Sequence, residues 1–296
     1  MGREMRIFST LIGGLGNQMF GYAASLYYAK QWGASLELLS LPQARSFSFG
    51  YPRPFQLSRF QIGARVRKVN LLHRLHQSNM MYLKPVVAKY NSSLGIVCLP
   101  EPSDHIFQTD LKPPDEASLV YLRGYWQAYG YVCAMETQLR LDFRLRNEAF
   151  GYNREMLDRV KSIETTISLH VRRGDYLQVG VALPLSYYDR AIAHMSDRFN
   201  DATFVIFSDD MDFARNSFSN DLKVIYVDGN DAETAYEDLR IMSACTHHII
   251  ANSTFSWWGA WLNPDAAKVV VAPRCWGNDR GQFFPELYPP QWTLLD

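Results

Sequence analysis

Hydrophobic and polar positions change rhythm about halfway along the chain. Beyond residue 165, short β-branched and apolar runs recur at 166–171, 203–207, 223–227, 247–251 and 269–272, separated by segments of helical length. This alternation predicts a parallel, doubly wound sheet of Rossmann-like architecture, because parallel neighbours need a crossover, usually helical, between them. One crossover shows its period directly. Ala235, Leu239 and Met242 fall at i, i+4 and i+7, while Glu233, Glu237, Asp238 and Arg240 lie off that stripe, as on a helix with one buried face.

The first half is less regular. An apolar run at 6–12 leads into Gly13, Gly14 and Gly16, and 18–32 then reads as a helix. That helix carries Met19, Phe20, Ala23, Ala24, Leu26, Tyr27 and Tyr28, apolar nearly all round, and is predicted to be covered on most sides. Prolines at 42, 52, 54, 85, 100, 102, 113 and 114, with basic residues at Arg65, Arg67 and Lys68, predict loops and short helices over 42–114. A strand is expected at 118–124 and a helix at 148–164. The chain therefore divides into an N-terminal α/β domain, 1–155, and a Rossmann-like domain, 156–296, at lengths typical of two domains.

Composition narrows the partners. With 30 basic and 30 acidic side chains the formal charge is zero, so no global field draws the protein to nucleic acid or an anionic membrane, and any polyanion site must be local. Cys98, Cys133, Cys245 and Cys275 lack the close spacing of a zinc knuckle or redox pair and read as free thiols of a reducing compartment. The apolar run 7–12 is too short for a signal peptide or anchor. A cytoplasmic protein is expected, with peripheral contact at the inner face of the membrane left open.

Ligands of an open parallel sheet bind at the carboxyl ends of its strands. After the strand at 166 stand His170, Arg172, Arg173 and Asp175. Adjacent guanidinium groups suit a phosphate or carboxylate, as they offer forked, permanently charged donors; the alternative is a structural turn in which Arg173 pairs with Asp175. After the strand at 203, Ser208, Asp209, Asp210 and Asp212 form either a metal-holding Asp-x-Asp or a helix cap. The cap is preferred, because the arginines already supply the charge that a diphosphate needs. After the strand at 247, Ser253, Thr254, Phe255 and Ser256 open an aromatic helix whose N-terminus is a ready anion site, while Trp258 and Trp261 read as core. The Gly13-Gly14-Leu15-Gly16-Asn17-Gln18 turn departs from a dinucleotide fingerprint, with Met19 where a small third residue belongs. A tight turn and close approach to a ligand both remain open for it.

Taken together, Gly13-Gly14-Leu15-Gly16-Asn17-Gln18-Met19-Phe20, His170-Val171-Arg172-Arg173-Gly174-Asp175-Tyr176, Phe207-Ser208-Asp209-Asp210 and Asn252-Ser253-Thr254-Phe255-Ser256-Trp257-Trp258-Gly259-Ala260-Trp261-Leu262 resemble the alpha-1,2-fucosyltransferases of glycosyltransferase family 11. The resemblance covers about residues 7 to 285 and is weakest over 42–114. It implies an α/β, GT-B-like fold of two domains facing a cleft, with GDP-fucose in the second domain and acceptor at the cleft. It further implies His170 near the nucleotide, Arg172 on the β-phosphate, and Arg173 and Asp175 beside them. Asp209 would hold the guanine edge, and Ser253, Thr254, Phe255 and Ser256 would line diphosphate and base. Gly14, Gly16 and Asn17 would offer contact from the first domain.

The reaction so implied is inverting transfer of L-fucose from GDP-beta-L-fucose to the 2-hydroxyl of a terminal galactose in a glycan, with no metal or other cofactor. Arg172 and Asn17 are the candidate catalytic residues, and Asp175 is a candidate base only. Two alternatives stand beside it: a non-catalytic sugar or nucleotide-binding protein, and a metal-dependent nucleotide-sugar transferase using Asp210 and Asp212.

Overall fold

A computed structural model describes residues 4–40, 54–69, 91, 93–113, 115–218, 222–276 and 282–296. Two units, Met1–Arg146 and Asn147–Asp296, are built on separate sheets. In the first, β1 (Arg6–Leu11), β2 (Ser35–Ser40), β3 (Arg65–Lys68), β4 (Ile96–Pro100) and β5 (Leu119–Arg123) are all parallel, in the order β3-β2-β1-β5-β4. β1 and β5 are the strands the pattern predicts. β3 and β4 fall where loops are expected: β3, Arg-Val-Arg-Lys, lacks an apolar run, and the apolar run of β4 ends in Pro100 and is followed by Pro102, which read as loop punctuation. All four residues of β3 are exposed. In β2 the run is broken by Glu37, which is buried against Arg67 of β3. Pro42, Pro52, Pro85 and Pro114 lie outside the described residues.

Helix α1 (Leu15–Trp32) begins three residues before the predicted start. Gly14 is its N-cap, and Gly33, at φ 60°, ends it in the left-handed conformation that glycine adopts readily. The helix is buried nearly all round, as its composition requires. Tyr22 donates to Asp142 at 2.5 Å, and Tyr28 meets the Tyr131 hydroxyl at 2.8 Å, which ties α1 to α2 (Tyr129–Ala134) and α3 (Glu136–Asp142). Truncating a fully buried aromatic such as Phe20 to alanine would cost about 3–5 kcal/mol.

The second unit contains α4 (Tyr152–Lys161), β6 (Thr166–Val171), α5 (Gly174–Gln178), α6 (Leu185–Arg198), β7 (Thr203–Ser208), α7 (Met211–Ser217), β8 (Val224–Val227), α8 (Ala235–Ser243), β9 (His247–Ile249), α9 (Thr254–Leu262), β10 (Val270–Pro273) and β11 (Thr293–Leu295). Its six strands are all parallel in the order β11-β10-β9-β6-β7-β8. The five predicted strands are all present, and the unpredicted β11 is a three-residue edge strand. Helix α4 runs through the expected junction at 155. Its Met156 and Val160 pack with Val205, Ile225 and Met242, and the Tyr152 hydroxyl accepts from the Asp228 N–H at 3.1 Å. The whole helix therefore sits in the second unit, and the division falls ahead of it. Leu239 and Met242 of α8 are buried as their period predicts, and Trp257, Trp258 and Trp261 are core residues of α9. None of the four cysteines is in a disulfide. Among the described residues, no helix is long and apolar enough to cross a membrane.

Candidate functional site

In the second unit the chain leaves β6 for β7 and β8 on one side, then returns to place β9 on the other. The carboxyl ends of β6 and β9 thus flank a topological switch point, where diverging loops leave a crevice suited to a ligand. After β6 come Arg172 and Arg173, then Asp175 in the first turn of α5, and after β9 a short loop ends at Ser253, the N-cap of α9. The two segments touch: the Tyr176 hydroxyl donates to the Asn252 carbonyl at 3.3 Å, and the His170 and Phe255 rings lie 5.8 Å apart.

The arginines are held by carboxylates from two strands. Arg172 bonds Asp175 through Nη2 at 2.7 Å and Asp209 through Nη1 at 3.0 Å, and lies 5.2 Å over the Tyr176 ring. Arg173 pairs with Asp210 at 3.1 Å and stacks 3.5 Å over Phe213. The alternative of a turn in which Arg173 pairs with Asp175 is therefore not what the fold contains, since Asp175 holds Arg172 and Arg173 holds Asp210. The cause is the sheet: β6 and β7 run side by side with Val171 opposite Ser208, which brings Asp209 and Asp210 to the arginine loop. Two guanidinium groups here face three carboxylates, which corrects the expectation that the arginines carry spare positive charge. What the loop offers an anion is N–H donors in fixed positions, since a guanidinium has five and each carboxylate occupies only one or two.

Asp209 is expected at a guanine edge, but both its oxygens are engaged elsewhere. Oδ1 accepts from the Arg173 N–H at 2.8 Å and Oδ2 pairs with Arg172. Asp210 caps α7, accepting from the Phe213 N–H at 3.1 Å. The acidic group that sequence reasoning passes over is Asp238, in the first turn of α8 at the same edge of the sheet. Burial pushes its carboxyl up to about 7, against the Asn230 amide that donates to it at 2.7 Å. In the sequence it reads as one more polar residue off a helical stripe, and only its raised carboxyl, half-buried beside Glu237, singles it out.

His170 is 5 % exposed. Burial, then the neighbouring Arg172 charge, push it down to about 3, so it is neutral at physiological pH. Its Nδ1 and the Asn252 Oδ1 are buried without a hydrogen-bond partner, and such atoms call for a ligand or water, since an unmet buried polar atom costs about 1–3 kcal/mol. The Asn252 amide donates to the Val181 carbonyl at 2.9 Å. Ser253, the N-cap of α9, is nearly buried, whereas Thr254 and Phe255 are half-exposed at the helix start. Ser256 is wholly buried, its hydroxyl donating to the Ser253 carbonyl at 3.2 Å and accepting from the Ala251 N–H at 3.3 Å. It secures the turn, and does not line a ligand surface as expected.

Gly14, Gly16 and Asn17 belong to the first unit, at the carboxyl end of its central strand β1. Gly16 and Asn17 lie in the first turn of α1, and Gln18 ties the turn together by donating to the Gly13 and Pro54 carbonyls at 3.1 and 2.8 Å. Asn17 Oδ1 accepts from the Gln127 amide at 2.9 Å.

Gly174 tests the arginine loop. A Cβ there would meet Asp209 Oδ2 at 2.6 Å. Gly174→Ala is therefore expected to displace Asp209 from Arg172 and to weaken binding of a nucleoside diphosphate about tenfold, or about 1.4 kcal/mol, measured by calorimetry with GDP. Unchanged affinity would show that the loop is not part of the anion site.

Residues 111–296 match the family model described as Glycosyl transferase family 11. The chain is similar to the O-antigen biosynthesis glycosyltransferase WbnK of Escherichia coli, at 30 % identity over 93 % of this chain and 97 % of that one. It is also similar to an alpha-1,2-colitosyltransferase of Escherichia coli, at 29 % identity over 98 % and 99 %. The crystal structure of the fucosyltransferase NodZ from Bradyrhizobium shares its fold, with a TM-score of 0.51 at 16 % identity over 89 % of this chain and 94 % of that one, which makes the fold GT-B-like as expected. On the match of its second sheet, with the arginine loop and the aromatic helix that frame the switch point, and on its likeness to relatives of the same length, the chain belongs to glycosyltransferase family 11.

Proposed function

We propose that the protein transfers L-fucose from GDP-beta-L-fucose to the 2-hydroxyl of a terminal galactose in a glycan, forming an alpha-1,2 linkage with inversion. The observation that carries this reading is Arg172, held by Asp175 and Asp209 at the carboxyl end of the central strand of a family 11 chain. In the displacement, the bond from the anomeric carbon to the β-phosphate oxygen breaks and its electron pair stays on GDP. Donors already fixed in place stabilise that charge without reorganising, which is usually the largest single contribution to lowering the barrier. Arg172 takes the β-phosphate, Arg173 and the start of α9 at Ser253, Thr254 and Phe255 take the remaining oxygens, and Asp175 orients Arg172. His170 lies against the nucleotide. Asp238, in place of Asp209, accepts from the N–H groups of the base. A loose, oxocarbenium-like transition state fits this distribution of charge.

Metal independence is part of the proposal. Asp210 is already shared between the α7 cap and Arg173, and so is not poised as half of a metal-holding pair with Asp212. The relative named for alpha-1,2-colitosyl transfer shares the linkage but not the sugar in its name, so donor choice needs its own arm in the test. The purified protein would be incubated with GDP-fucose, other GDP-linked sugars and a panel of galactose-terminated oligosaccharides, with and without EDTA. GDP release would be followed, and product linkage read by NMR. Expected is an alpha-1,2-fucosylated product at a rate unaffected by chelation. Preference for another GDP-sugar would replace fucose, loss with EDTA and recovery with manganese would restore the metal reading, and no turnover of any donor would favour a binding protein.

A further inference from the structure

The residues proposed to hold the donor leave an exposed basic face of the first unit without a role. Two short segments run antiparallel there, 59–61 against 144–146, with Phe60 bridged to Leu145. The Gln61 N–H donates to the Arg144 carbonyl and the Arg146 N–H to the Arg59 carbonyl, both at 2.9 Å, so Arg59 stands opposite Arg146 and Gln61 opposite Arg144. Side chains alternate across extended segments. Phe60 is buried and Leu145 half-buried, which turns Arg59, Gln61, Arg144 and Arg146 outward together, and all four are exposed. Like charges directly opposite each other on paired strands are destabilising, yet this pairing sets two arginines face to face with a third beside them.

Neighbouring acids do not neutralise the face. Segments 57–69 and 140–146 hold seven basic side chains against one acid, Asp142, and Asp142 is 4 % exposed and accepts from Tyr22 and Gln138. Glu37 and Glu136 are paired with Arg67 and Arg140. Among the described residues, Arg65, Lys68, Arg144 and Arg146 make no ion pair. Arg65 and Lys68 extend the face: β3 begins four residues after Gln61, a reach of at most about 14 Å, and all its residues are exposed. Val66 and Leu141, in the same two segments, are exposed large apolar side chains.

We propose that this face docks the protein on an anionic bilayer, with its cations against lipid phosphates. The cations are strung along an edge strand and an exposed strand pair, which suits a surface of many phosphates better than one small anion. Apolar side chains and arginine stems settle together at a membrane interface while the guanidinium stays at headgroup level. Because the formal charge of the whole chain is zero, attraction to such a surface has to come from a local cluster. Each cation near the surface is worth about fivefold in partitioning, so three are worth about a hundredfold. The inference stands apart from the transfer reading.

Co-sedimentation of the whole protein with vesicles tests it. Binding is expected to vesicles of phosphatidylcholine and phosphatidylglycerol in equal parts but not to phosphatidylcholine alone, with release at about 1 M salt, where the screening length falls to about 3 Å. Arg59→Gln, Arg144→Gln and Arg146→Gln combined should lower partitioning about a hundredfold. Because the combination relieves like-charge repulsion, thermal unfolding is expected at or above the wild-type temperature, with GDP affinity unchanged. Removal of as many charges from exposed positions of α4, by Arg154→Gln, Arg159→Gln and Lys161→Gln, should leave partitioning nearly as in wild type. Wild-type protein that ignores the anionic vesicles overturns the proposal, as does an equal loss in the two triple variants. Binding to single-stranded RNA in place of vesicles, abolished by the Arg59, Arg144 and Arg146 changes, assigns the face to nucleic acid and overturns it as well.

Discussion

Arg172→Lys is expected to lower kcat for transfer about a thousandfold while changing GDP affinity by less than about tenfold. The guanidinium bridges Asp175 and Asp209 through two different nitrogens, and it still has N–H groups to turn toward a departing phosphate. A lysine ammonium is a compact point charge that cannot span both carboxylates and face a third group in the same geometry. Removing one preorganised donor from a developing oxyanion costs about a hundred- to a thousandfold, and an arginine on a transferring phosphoryl group can be worth more. Steady-state kinetics with donor and acceptor varied separately would locate the loss in kcat. Retention of activity to within about tenfold would remove Arg172 from the centre of the mechanism. Arg172→Ala is the poorer experiment, because it leaves Asp175, 6 % exposed, without its cation. A buried carboxylate stripped of its partner costs about 3–5 kcal/mol, so loss of folding would mask loss of catalysis.

The second large effect is loss of stability in mild acid. Burial is the main cause that pushes His170 and His248 each down to about 3. His248 shows why: the Asn263 amide, which can only donate, lies 3.0 Å from Nε2, so Nδ1–H must donate to the Ser168 hydroxyl at 2.8 Å. A second proton would set donor against donor. Because these folded-state values lie below the unfolded value of about 6.5, the unfolded chain binds the extra protons first. The contribution of each histidine is intact above about pH 6.5 and is lost as pH falls toward 3, at about 1.4 kcal/mol per pH unit. Asp238 acts in the opposite sense. Its folded value is raised to about 7, so its contribution is fully present below the unfolded carboxylate value and is lost as pH rises through 7. These two histidines against Asp238 account for a net loss near that of one proton, or about 2 kcal/mol between pH 6.5 and 5, to which His105 and His247, lowered by burial, add and which Glu101, raised by burial, opposes. Asp238→Asn removes one opposing group and should roughly double the loss over that interval. Urea unfolding of both proteins at the two pH values checks this. Parallel profiles for wild type and D238N would show that the Asp238 carboxyl is not held protonated in the fold.

What sequence by itself determined is the set of features whose cause is local. Five of the six strands of the second sheet announce themselves because parallel strands covered on both faces need short β-branched and apolar runs, which recur here between segments of helical length. The burial of α1 follows in the same way from an apolar circumference, and the four motifs sit at strand ends, where chain order alone puts them. The edge strands β3, β4 and β11 escaped, β3 because its residues are polar and exposed, β4 because its apolar run sits among prolines, and β11 because it is only three residues long.

Partnership was decided by the tertiary structure alone. Arg173 and Asp175 stand two residues apart, yet Asp175 holds Arg172, and Arg173 finds Asp210 across the β6–β7 pair. Asp238 and Glu101 look like ordinary surface acids in a string of letters. Burial raises both, and Glu101 accepts from the Tyr125 and Trp126 N–H groups only because β4 lies beside β5. The row of Arg59, Arg144 and Arg146 joins positions more than eighty residues apart. Periodicity reports which face of an element is buried. Which polar atoms meet depends on strand order and register, and these exist only once the sheet has formed.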